Sequence, residues 1–307
     1  MRQSNDEGVW TYRLQGLGQL NDPNDFGQFQ VCLLPLMFVF WRSKKTINNF
    51  AFVVLPSCIL LFGLYLTHSR GALVALTALL IVAGRRRIGT VPSIALASCL
   101  FLGAMALQFT GGRQISAGAG EDRTALWGEG LAVVKTHPLL GVGFGRLSEY
   151  TDNHLTAHNS VVLCVAELGI FGLYCWSLFL FPVFRNAKVV ATPGMLKDAV
   201  PEIETAHFPR PARATEDLDK AQIAHLGQLA FLSLIGFLVA GWFLSRAFVL
   251  TLFLLGGLAE SIYQMGLNRG MLAPRLPYGR VLVNSAGLAM GLLIVIYLVI
   301  RILNFIH

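Results

Sequence analysis

Residues 158–183 read HNSVVLCVAELGIFGLYCWSLFLFPV. After His158 the stretch holds one ionisable acid, Glu167, and no Lys or Arg, and it exceeds the roughly 20 apolar residues a helix needs to cross a bilayer. No period-two alternation runs through it, so a strand of a membrane barrel is excluded. Comparable runs lie at 24–41, 49–66, 71–84, 88–108, 226–244, 247–266 and 281–300. The expected fold class is all-α, a polytopic transmembrane helix bundle of about eight spans. Pro35 and Pro56 interrupt two runs, which membrane helices tolerate as kinks.

Composition points the same way. Of 307 residues 54% are hydrophobic and 13% charged, against roughly 25% charged in soluble domains. Mean hydropathy is +0.60. Soluble enzyme, disordered chain and disulfide scaffold are excluded as classes. Cys32, Cys58, Cys99, Cys164 and Cys175 all lie in apolar runs, where they act as small hydrophobes. The net charge of +7 would raise nucleic-acid binding in a soluble protein; here its placement points to membrane lipid and not nucleic acid. Fifteen of the 24 basic residues sit in alternate loops, at 42–45, 85–87, 185–220 and 269–280. The positive-inside bias makes those loops cytoplasmic. The amino terminus, residues 69–70, segment 109–157 and the carboxyl terminus are then outside. Residues 1–23 are polar and show no signal-peptide pattern.

Three regions follow: 1–108, an outer N-terminal segment with four spans; 109–157, an outer loop; and 158–307, four further spans. The last includes a Pro-rich cytoplasmic linker at 184–225, with a short helix expected before Leu226. The outer loop opens as GGRQISAGAG and then places Leu126, Trp127, Leu131, Val133 and Val134 at helical spacing. Pro138 and Gly141 end that helix. GVGFG at 141–145 resembles a phosphate loop but follows a helix, not a strand; it reads as a turn returning the outer helix to the membrane.

Few residues can carry chemistry. Arg70, in THSRG, is an arginine at an outward span end, against the positive-inside bias. Snorkelling to headgroups is the plainer alternative. Arg123 stands in EDRTALW at the start of the outer helix, where Glu121 and Asp122 suit the helix dipole. Arg113 and Arg146 are weaker candidates. His158 opens a span beside Asn159 and has a pKa near working pH, as a base needs. His154 precedes it by four residues, but Leu155 stands where a zincin has Glu, so no metal site is expected. Glu167 and Glu260 lie inside spans and need partners. Glu167, about 13 Å along the helix from His158, is expected to clamp an arginine.

Four stretches occur in order: GLGQLNDPNDFGQ at 16–28, THSRGAL at 67–73, EDRTALWGEGLAVVKTHPLLGVGFG at 121–145 and TAHNSVVLCVAELGIFGL at 156–173. Together they resemble the O-antigen ligase and O-antigen polymerase superfamily of bacterial inner-membrane glycosyltransferases. The resemblance implies a C-type, metal-independent, inverting enzyme with no cofactor and with its active site facing the periplasm. Its donor would be a glycan on undecaprenyl diphosphate, and its acceptor lipid A core, a protein or another glycan. It implies Arg70 and Arg123 at the donor diphosphate and His158 at the acceptor hydroxyl, with Asn159 and Glu167 in support. Family members carry further spans ahead of the NDPND segment, so an N-terminally truncated chain is expected. A polymerase, a transporter or a non-catalytic membrane protein are the alternatives. A transporter would show repeats and broken midplane helices, and neither is read from the sequence.

Overall fold

The computed structural model describes residues 2–4, 10–107, 109, 118–152, 154–196, 213–273 and 275–306, with backbone alone at 2–4, 10–11, 118–123, 193, 213–219 and 303–306. Among these residues the architecture is helical, preceded by a small antiparallel hairpin of β1 (Arg2–Ser4) and β2 (Trp10–Tyr12). The helices are α1 (Pro23–Met37), α2 (Thr46–Thr67), α3 (Arg70–Ile88), α4 (Thr90–Ala106), α5 (Gly118–Thr136), α6 (Ser160–Val190), α7 (Arg213–Gly241), α8 (Leu250–Asn268) and α9 (Tyr278–Ile306).

Each of the eight apolar runs falls on a helix, and the outer-loop helix is α5. Five helices are long and apolar enough to cross a membrane: α2, α6, and α7, α8 and α9 over Lys220–Gly241, Leu250–Asn268 and Tyr278–Ile302. The remaining three runs fall short of that for local reasons. α1 has 15 residues, α4 has 17, and α3 ends in Arg85, Arg86 and Arg87. α2 contains a π-turn at Phe50–Val54 just ahead of Pro56, the kind of local adjustment by which membrane helices absorb a proline. Within the linker expected at 184–225, 184–190 continues α6 and 213–225, where a short helix before Leu226 was expected, opens α7, while 197–212 lies outside the described residues.

Two long helices organise the bundle. α7 packs on α1, α3, α6 and α8, while α6 packs on α5, α7, α8 and α9. Cys32, Phe237, Leu252 and Tyr263 belong to the larger core, and Val31, Leu64, Ala72 and Leu79 to a smaller one at α1, α2 and α3. One end gathers the basic loops. There Arg86 donates to the carbonyl of Ala191 at 2.6 Å, Gln228 donates to the same carbonyl at 3.3 Å, and His225 meets the carbonyl of Phe38. The opposite end gathers the starts of α1, α3 and α6.

α6 is broken. Gly169 has φ +68° and ψ −171° within it, so Ile170 and Phe171 lose their helical acceptors. Segment 137–145 repairs the gap. Ile170 donates to the carbonyl of Pro138 and Phe171 to that of Leu139, while Val142 and Gly143 donate to the carbonyls of Ala166 and Glu167. The GVGFG stretch is thus a turn, as its sequence context implied, with positive φ at Gly141, Gly143 and Gly145. The mid-helix break itself was not expected from the sequence.

Candidate functional site

Four segments converge at the end away from the basic loops. The first is the start of α1. Asp22 caps the helix by accepting from the Asn24 amide, and the side chain of Asn24 accepts from Arg13 at 2.9 Å. Arg13, 5% exposed, also donates to the carbonyl of Thr67 at 2.8 Å. The second is the α2–α3 junction. His68 takes the left-handed conformation, Ser69 caps α3 on the Ala72 amide, and Arg70 follows. Gly27 lets α1 approach this junction: a Cβ there would lie 2.9 Å from that of Ala72.

The third segment is 158–160 at the head of α6. Asn159 is fully buried; its carbonyl oxygen accepts from the amides of Val161 and Val162, and its amide group donates to the carbonyl of Trp242 at 3.1 Å. Both ends of the Asn159 side chain are therefore held by backbone. Ser160 donates to the carbonyl of Leu244 and accepts from the Arg246 amide. His158 precedes the cap with φ +47°, and its backbone amide donates to the Ser245 hydroxyl at 2.8 Å. A left-handed conformation is uncommon outside glycine and costs energy that the surrounding bonds must offset.

The fourth segment, 242–249, joins the others. Its Phe243 packs over Gly71, where a Cβ would stand 3.2 Å from that of Phe243. Its Ser245 holds His158, and its Arg246 pairs with Asp25, a carboxylate 5% exposed as a residue. Gln28 donates to the carbonyl of Phe237, and Trp176 to that of Ala247. Gly71, which follows Arg70, and His158 are 87 positions apart in the chain, yet both meet the stretch 243–245. α5 docks here too. The rings of Trp127 and Trp242 meet edge to face at 6.1 Å, and Gly130 admits Val162. The Trp127 indole N–H is buried without a hydrogen-bond partner among the described residues.

The backbone of Arg123 lies on α5, four residues before Trp127; its side chain, like Arg113, lies outside the described residues. Arg146 forms an exposed 2.8 Å pair with Glu149, whose carboxyl it holds below the ordinary value. His154 is exposed, its ring on the carbonyl of Ser148 at 3.0 Å. The Glu167 carboxylate accepts from the backbone amides of Gly145 and Leu147, so it anchors the glycine turn. Glu260 does pair with an arginine, Arg275, at the opposite end, and also accepts from Asn186 and Gln264.

Arg246, Asp25, Arg13 and Ser245 were not among the residues expected from the sequence. A signal for Arg246 was present: like Arg70, it is an arginine at the end of a span away from the basic loops.

Residues 51–177 match the family model described as O-antigen ligase. That stretch is similar to the O-antigen ligase family. It runs from α2 through the first half of α6 and contains Arg70, Arg123, His158, Asn159 and Glu167. Three of the four motif stretches fall inside it, whereas Asp25 and Arg246 fall outside. The match, with the five apolar helices, supports a membrane protein of glycan processing. No curated protein matches the chain.

Proposed function

We propose that the chain is a membrane glycosyltransferase that moves a glycan from undecaprenyl diphosphate to an acceptor at the periplasmic face of the bacterial inner membrane. The observation that supports this reading is that Gly71, the neighbour of Arg70, and the backbone amide of His158 both meet segment 243–245, with Arg70 and His158 themselves inside the 51–177 match. Guanidinium forks at Arg70 and Arg123 neutralise the donor diphosphate as negative charge develops on it. The neutral ring of His158 accepts the proton of the acceptor hydroxyl while that oxygen attacks the anomeric carbon. The bond from that carbon to the diphosphate breaks, the electron pair leaves with the diphosphate, and the configuration inverts. His158 then returns its proton to solvent. The bonds at Ser245, Asn159 and Ser160 fix the backbone that presents the imidazole.

The break in α6 is the feature a transporter would use, because free helix ends coordinate ions. Here the groups freed at the break are bonded to 138–143, which favours a structural role. The test is to incubate membranes holding the chain with a defined undecaprenyl-diphosphate glycan and candidate acceptors, and to identify products by mass. One glycan added to the acceptor is the ligase outcome, and a ladder of repeats the polymerase outcome. Donor left intact with every acceptor would overturn the reading.

A further inference from the structure

α7 and α9 both lie on α6, and between them is a cavity of about 520 Å³. α6 lines it with Trp176, Leu180, Phe184 and Lys188, a ladder at four-residue spacing that keeps to one helix face. Phe231 of α7 and Leu292 of α9 face the ladder from either side. Arg185 stands one residue past Phe184 and also lines the cavity, half-buried, with one guanidinium nitrogen on Asn186 at 2.9 Å. The wall is apolar for most of its length and cationic at one end.

That end is the basic-loop end. From Trp176 to Lys188 the helix rises about 18 Å, close to one leaflet of a hydrocarbon core roughly 30 Å thick with its interface. The other end of the cavity reaches Ser160, Gly241 and Trp242 below the candidate site. There the Ser160 hydroxyl is already bonded to Leu244 and Arg246, so it holds no charged head. Apolar walls with two cations at one mouth complement a molecule with an anionic head and long apolar tails, oriented head toward Lys188.

We propose that this cavity is a binding site for an anionic glycerophospholipid of the leaflet at the basic-loop end, with its phosphate held by Arg185 and Lys188 and an acyl chain along Trp176, Leu180 and Phe184. The site lies at the opposite end of α6 from His158, and it stands whether or not the transferase reading does.

Native mass spectrometry of the purified chain, loaded from mixed phosphatidylglycerol and phosphatidylcholine, tests this. Phosphatidylglycerol is retained in preference. Arg185→Gln and Lys188→Gln each weaken that preference about fivefold, as expected for a cation near a lipid phosphate. Leu292→Trp fills the groove and removes retention of both lipids. Equal retention of the two lipids by the unaltered chain, or a preference unchanged in the glutamine variants, would overturn the proposal. Displacement of phosphatidylglycerol by a long-chain prenyl phosphate with no dependence on Arg185 and Lys188 would also overturn it, assigning the cavity to a prenyl tail instead.

Discussion

His158 and Asn159 are neighbours with unlike duties. Every polar atom of the Asn159 side chain is committed to backbone of α6 or to Trp242. Asn159→Ala removes the helix cap and orphans a buried carbonyl, which costs about 1–2 kcal/mol. The expected result is a lower thermal midpoint in detergent and slower transfer per folded molecule, because the backbone presenting His158 is loosened; Asn159→Asp keeps the cap and falls between. Arg246 is a second structural case. Its partner Asp25 is buried, so Arg246→Gln leaves a carboxylate unpaired and costs about 2 kcal/mol, tempered by the partial exposure of the arginine. The double variant Asp25→Asn/Arg246→Gln regains part of that loss in the same melting experiment. The sequence pointed to Arg70 and His158 because each is a polar group at the end of an apolar run. It did not point to Asp25 with Arg246, since that pair closes across 221 positions and neither residue alone announces the other.

At the scale of elements, α6 and the glycine turn form one unit. The sequence marked the turn through its glycines and the helix through its apolar run, but the break at Gly169 left no trace in hydropathy. A glycine inside a membrane helix is common, and only the tertiary placement of 138–143 reveals what this one permits. A Cβ on Gly169 would lie 2.2 Å from the Leu139 carbonyl oxygen, and one on Gly141 would lie 2.4 Å from the Glu167 carbonyl. A Cβ on Gly143 meets only the flexible stem of Arg146, and one on Gly145 meets open space. All four have positive φ, so each alanine costs something. Yield and thermal midpoint are expected to fall most for Gly169→Ala and Gly141→Ala, by more than about 1 kcal/mol, less for Gly143→Ala, and least for Gly145→Ala.

For the whole molecule, the segregation of basic loops to one end and the candidate site to the other was legible from charge alone. Which helices contact which was not, because burial in a bundle depends on neighbours far away in the chain. The same segregation predicts sidedness. In a cysteine-free background, Asp152→Cys is labelled by an impermeant maleimide on intact spheroplasts, and Ser43→Cys only after permeabilisation. The measurement that bears most directly on the proposed function is the rate of glycan transfer by His158→Ala beside that of the unaltered chain, with donor binding followed in parallel. A positioned general base contributes roughly 10²–10⁴-fold. A loss of that size in transfer is expected, with donor affinity and thermal midpoint nearly unchanged. Near-normal turnover by His158→Ala would contradict it.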